Sequence, residues 1–281
     1  MPEKTEHGCG GRGRDGERIS RVATSRPVVR DERALPSVRL AEFRLQSDRN
    51  DYDWTAGDYV TPTGFEPTTT TSCDVTLALG LPGRLDIDLV APLAMKEQGS
   101  DKSSGMGDAM VYARWGVLQS SLLPVRAALL LGANLPTASA DAKPALGDRT
   151  TDVALAVSAN TQKLGPFLGH ARLGYWLNGK TDDTTKVGNM VEYVLCGDYS
   201  ISGTLTPELA LSGFMLDKKQ VNGTAVESSQ ASQHSATLLL MVKPISMLTI
   251  RPKAGMPLAF LSEGGSLPSF TVGLDVWAFV P

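Results

Sequence analysis

Between residues 73 and 280 the chain is built of segments in which every second side chain is apolar and the charges fall on the other parity. A two-residue period describes a pleated strand with two chemically different faces, and no helix satisfies it. The clearest segment is 84–93, where Leu85, Ile87, Leu89, Ala91 and Leu93 oppose Arg84, Asp86 and Asp88. Segment 108–118 sets Ala109, Val111, Ala113, Trp115 and Val117 against Asp108, Tyr112 and Arg114. In 125–135 the aliphatics at 125, 127, 129, 131, 133 and 135 oppose Arg126 and Asn134. Similar strands are predicted at 151–162, 166–178, 190–201, 207–217, 234–243, 248–260 and 268–280, with 73–81 and 38–47 upstream. That makes twelve. At about 10–13 residues they approach the length that crosses a bilayer at a tilt, whereas strands of globular proteins average about 5–6.

The connections supply an independent sign. Those at 82–83, 119–123, 163–165, 202–206 and 244–247 are short. Those at 48–72, 95–106, 136–150, 179–189, 218–233 and 261–267 are longer and rich in Gly, Ser, Thr, Asp and Lys. The two kinds alternate along the chain. Bacterial outer-membrane barrels keep short turns on the periplasmic side and long loops outside; a soluble sandwich has no reason to sort its loops this way. The expected fold is an all-β, closed, antiparallel up-and-down transmembrane β-barrel with both termini periplasmic. A barrel of this kind contains no long apolar run, so the lack of a helix-length hydrophobic stretch is compatible with a membrane location.

Composition narrows the alternatives. A net charge of −3 leaves no electrostatic footprint for nucleic acid. Cys9, Cys73 and Cys196 are odd in number, widely spaced and without a CxxC, which argues against a disulfide framework or a zinc site. No cofactor is expected. Residues 1–37 are rich in Arg, Gly and Glu and read as a disordered N-terminal segment preceding a barrel over 38–281. They hold no apolar core of the kind a secretory signal needs. Since a barrel of this kind must be exported, the favoured reading is a displaced start codon.

Charges on the lipid side near the midplane cost about 2–4 kcal/mol each, so their confinement to one parity implies a polar interior. The candidate lining is Asp86, Asp88, Asp108, Tyr112, Arg114, Arg126, His170, Arg172, Trp176, Glu192, Asp198, Glu208, Arg251, Lys253 and Asp275. Their signs nearly balance. Two readings stay open: a hydrated path for a solute, or a salt-bridge lattice that fills and stiffens the barrel. Tyr112, Leu130, His170, Trp176, Phe214 and Trp277 share the inward parity and would line a path for apolar solutes, or equally pack as plugs. Trp115, Phe167, Tyr175, Tyr199 and Phe270 fall near strand ends on the lipid parity, as two thin aromatic girdles.

Three short motifs run in order: Gly105-Met-Gly-Asp-Ala-Met-Val-Tyr-Ala-Arg-Trp115, Gly132-Ala-Asn-Leu-Pro-Thr137, and Leu146-Gly-Asp148 followed by Thr151-Asp-Val153. With His170-Ala-Arg-Leu-Gly-Tyr-Trp-Leu-Asn178 they resemble the landmarks of the meta-pathway of phenol degradation family, a group of Gram-negative outer-membrane transporters. The resemblance covers about residues 73–281 and implies a channel-like barrel for small molecules, hydrophobic or aromatic ones among them, as in hydrocarbon uptake channels. Ala138 replaces the Gly that usually follows Leu-Pro-Thr. Read without the family, the motifs are strand-end signals: the glycines free the backbone, Asp108 can accept from exposed N–H groups, and Pro136 ends a ladder.

Enzymatic chemistry finds little support. A phospholipase would need Ser and His together on the lipid side, but Ser235 and His234 are neighbours of opposite parity. A rim protease would need Asp182, Asp183 and His234 to meet. The expected function is passive uptake through a porin-like outer-membrane channel; the alternative is a sealed structural or surface-interaction barrel acting through its outer loops. The implied partners are outer-membrane lipid, a small-molecule solute and the barrel-assembly machinery.

Overall fold

The computed structural model describes residues 37–53, 58–60, 66, 68–119, 125–161, 164–227, 229–264 and 266–279, with 37–53 and 58–60 traced by backbone alone. The segment expected to be disordered lies, apart from Ser37, outside the described residues, as does most of the turn at 119–123.

The strands that cross the barrel are β1 (Ser37–Asp53), β2 (Thr68–Leu81), β3 (Leu85–Gln98), β4 (Ala109–Gln119), β5 (Val125–Leu135) and β6 (Asp152–Thr161). They continue as β7 (Phe167–Leu177), β8 (Met190–Tyr199), β9 (Leu205–Leu216), β10 (Ala231–Ile245), β11 (Leu248–Pro257) and β12 (Ser266–Phe279). Each pairs antiparallel with its sequence neighbours, and β12 returns to pair with β1 from Ser37↔Phe279 to Asp51↔Ser266. The sheet closes on itself, so the ring of twelve strands presents no ladder edge of its own. Ser37 also pairs with Ala78, near the tight turn that joins β2 to β3. Both ends of the ring therefore lie at the end of the cylinder that carries the short turns.

The two faces differ as the parity demands. Leu131, Leu155, Leu173, Leu195, Leu209 and Leu238 are all at least half exposed on the outside. Asp74, Asp86, Arg114, Arg172, Glu192, Glu208, Arg251 and Asp275 are buried inside. An apolar exterior around a charged interior inverts the pattern of a water-soluble protein and suits hydrocarbon as the outer solvent. Near the short-turn end the exposed rings of Phe167 and Tyr199 sit 4.9 Å apart with Trp115 exposed on the same face. Tyr175 and Phe270 are exposed toward the long-loop end. Phe167 and Tyr175 are eight residues apart on one strand, about 26 Å at 3.3 Å per residue. A tilt of about 40° reduces this to about 20 Å along the axis, close to the apolar band of about 25 Å that such barrels carry.

Three local expectations need correction. Residues 95–106 are not an irregular loop: β3 runs on to Gln98 and pairs with a short strand, Asp101–Met106. This hairpin stands beyond the level where β3 leaves β4, at Val90↔Met110. Outside the apolar belt neither face needs lipid, so the strand loses the alternation that would reveal it. Arg84 is not on the inward face; with φ of 65° it is the exposed left-handed residue of the turn. Strand β11 stops at Pro257 rather than 260, and the chain turns through a 3-10 segment, Ala259–Leu261, whose Phe260 is 80% exposed.

Candidate functional site: the barrel lumen

Strand register stacks the inward side chains in rows. Lowest, toward the short turns, Arg126, Asn160, His170 and Cys196 face one another across β5 to β8. The next row holds Ala128, Ser158, Arg172, Val194, Ser212 and Ser235. Above it come Leu130, Ala156, Gly174, Glu192, Phe214 and Gln233, then Gly132, Ala154, Trp176, Met190, Leu216 and Ala231. Asn134 and Asp152 lie nearest the long loops. Along β5 to β10 the lumen is thus polar at both ends with an apolar band, the collar, in its upper part.

The lower polar zone is densely paired. Arg251 donates from Nε and Nη2 to Asp275 Oδ2 at 2.9 and 2.6 Å, and from Nη1 to Glu208 Oε2 at 3.2 Å. Lys253 Nζ donates to Asp275 Oδ1 at 3.0 Å. The Arg251 guanidinium also lies 4.6 Å from the Trp277 ring centroid, a cation–π contact shielded from water. His170 Nε2 meets Asp198 Oδ2 at 3.0 Å, and Arg172 donates to Glu192 at 2.6 Å. On the facing wall Arg114 meets Asp88 at 3.5 Å. The Arg and Lys pairs survive burial because each charge has an opposite charge and a hydrogen bond.

Cys73 and Cys196 are not joined in a disulfide. Cys196 faces inward, and its Sγ lies 2.7 Å from Glu208 Oε1. Cys196, Asp198 and Glu208 bring ligand-type atoms within 4.8 Å of one another, the one such group among the described residues. Arg251 already pairs with Glu208, and His170 Nε2 lies within hydrogen-bond distance of Asp198.

The collar is packed from unlike sizes. A Cβ on Gly132 would stand 2.9 Å from the Tyr112 ring, so the missing side chain is what lets Tyr112 lie against the wall. Tyr112 meets Trp176 edge-on at 6.5 Å and 89°, a favoured aromatic geometry. Trp176, Met190 and Phe214 are each 1% exposed. The Trp176 Nε1–H meets no acceptor among the described residues.

All the sequence-predicted lining residues lie on the buried parity, with Asp88, Tyr112, Arg126 and His170 only partly shielded. The structure joins Glu208, Arg251, Lys253 and Asp275 in one network, His170 with Asp198, Arg172 with Glu192, and Tyr112 with Trp176. Asp108 stands apart: its carboxylate is taken up by a loop, receiving Ala138 N–H at 3.0 Å and Asp148 N–H at 2.8 Å. The groups considered for catalysis have other partners. His234 Nδ1 meets the Tyr193 hydroxyl at 2.8 Å, and Ser235 meets Ser212 at 2.9 Å. Exposed Asp182 accepts from the Thr184 hydroxyl and from the N–H groups of Thr184 and Thr185, which hold its carboxyl below the usual range.

A family described as "Putative MetA-pathway of phenol degradation" matches residues 43–253. The chain belongs to this family. The chain is also similar to solved structures. One is the COG4313 outer membrane channel from Pseudomonas putida F1, at 15% identity and a TM-score of 0.74, covering 92% of this chain and 98% of that one. Another is the β domain of the Bordetella autotransporter BrkA, at 10% identity and a TM-score of 0.51, covering 88% and 100%. Both likenesses concern the fold, a closed transmembrane β-barrel. Among curated proteins none matches the chain.

Proposed function

We propose that this chain is an outer-membrane channel through which small molecules pass passively, with its short turns and both termini periplasmic and its long loops outside. The observation that carries the reading is the inversion of the cylinder, apolar outside and polar within toward both mouths. A lining of fixed charges and amides supports a hydrated path, because it replaces the water shell of a polar solute on its way. Family membership supports the same reading.

The collar supports a preference for aromatic solutes that carry an oxygen. Tyr112 is the partly buried ring of this cluster and meets the edge of Trp176, whose Nε1 has no acceptor among the described residues; a solute that parts this packing gains both a ring and a donor. The sealed-barrel alternative has its own support, the dense pairing around Arg251 and Asp275.

Reconstitution of the full chain into planar bilayers decides between them. Discrete conductance steps are expected; a folded, inserted protein without conductance or solute flux would leave the sealed barrel. In the same proteoliposomes, Trp176→Phe is expected to slow phenol flux by about two- to tenfold, the worth of one hydrogen bond, while benzene flux holds. An equal change for both solutes would remove the donor's role.

A further inference from the structure

The segment 136–151, joining β5 to β6, is exposed at 139–141 and packs down onto the wall through Leu146, Asp148 and Thr150. Its residues Leu146 and Thr150 are 2% and 0% exposed, values foreign to a solvated outer loop. The wall side chains that fasten it, Asp108, Asn134 and Asp152, lie on the inward parity. The Asp108 carboxylate accepts three of its backbone N–H groups, from Ala138 at 3.0 Å, Asp148 at 2.8 Å and Arg149 at 3.3 Å. The Thr137 hydroxyl donates to Gly107 O at 2.9 Å and accepts from Ala109 N–H at 2.8 Å. Asn134 donates to Asp152 Oδ2 at 3.1 Å and Thr150 O at 3.3 Å, and the Thr150 hydroxyl lies 2.8 Å from Asp152.

The fit leaves no slack. A Cβ on Gly147 would come 2.3 Å from Asp108 Oδ2, and one on Gly107 would come 3.1 Å from Leu146 O. Glycine at both positions is therefore what lets the strap lie directly on the wall. Leu146 reaches Gly105 of the β3 hairpin, and Ser103 Oγ donates to Pro144 O at 2.5 Å, so the strap is tied on two sides. The three short motifs, separated in sequence, converge on this one knot.

We propose that the strap 136–151 sets the bore of the channel at its outer mouth, and that the Asp108 carboxylate is the latch holding it against the lumen wall. This rests on the channel reading above and adds the element that determines which solutes are small enough to pass. Three backbone N–H groups on one carboxylate make a strong tie, since charge-assisted bonds are about twice as strong as neutral ones. A strap held by side-chain acceptors rather than by a ladder can be released without unpicking the barrel.

The test compares the parent with two variants that undo the latch from opposite sides. Asp108→Ala removes the acceptor; Gly147→Val keeps the carboxylate but fills its place. Both are checked for the heat-modifiable gel mobility of a folded barrel, then measured by single-channel recording and by swelling of liposomes in sugars of increasing size. Conductance is expected to rise about twofold or more in both, since the strap takes up cross-section at the mouth, and the size limit is expected to move upward. If the parent conducts and both folded variants match it in conductance and size limit, the strap is no filter and the proposal falls. A silent parent with conducting variants supports the latch while showing the resting channel to be closed. Silence in all three overturns the latch and the channel together.

Discussion

Arg251→Ala is expected to destabilise the barrel by about 3–5 kcal/mol, the usual loss when one partner of a buried ion pair is removed. The guanidinium is 4% exposed and serves two carboxylates, Glu208 and the fully buried Asp275. Its removal takes two donors from Asp275 and strips Glu208 of its Arg251 cation. Arg251→Lys should restore only part of the loss. A lysine keeps the charge but cannot place two donors on Asp275 and a third on Glu208, nor stack on Trp277. The midpoint of guanidinium unfolding in detergent micelles measures both. A midpoint unchanged in Arg251→Ala would mean that the charges are solvated, and the lattice would be no structural element.

The second large effect lies on the other face. Leu195 is 50% exposed midway along β8, four residues from the interfacial Tyr199. Leu195→Arg is expected to cost about 2–4 kcal/mol in a lipid bilayer, and an arginine at Tyr199 only about 0–1 for its charge, because the penalty fades toward the headgroups. Folding titrations into lipid vesicles give the difference between the two. Equal penalties at both depths would place neither residue in hydrocarbon, and the apolar belt would need another explanation.

Much of this architecture is legible in the amino-acid order because lipid imposes a rule on every second residue. Leu85, Ile87 and Leu89 against Asp86 and Asp88 already separate outside from inside. The rule acts only within the belt, which is why the continuation of β3 into the 95–106 hairpin goes unread. Partners within the lumen are illegible for a different reason: Arg251 and Glu208 meet through a third strand, and no local pattern encodes that register. The strap did leave a signal in Leu146, one large apolar residue in an otherwise polar connection. Asp108 does accept backbone N–H groups, as its position suggests, but from residues 30 to 41 positions onward rather than from its own strand end. Cys196 gave no warning, because a thiol fits either face.

The seam between β1 and β12 has a consequence for how the molecule comes into being. Ser37 and Phe279 adjoin across it, roughly 240 positions apart, so this contact is among the most costly in chain entropy that the sequence could contain. Until it is made, the curled ribbon has two raw margins whose amides face oil with nothing to bind. Maturation is thereby biased toward a single concerted act of zipping, and losing either terminal strand would unseal the whole vessel rather than shorten it.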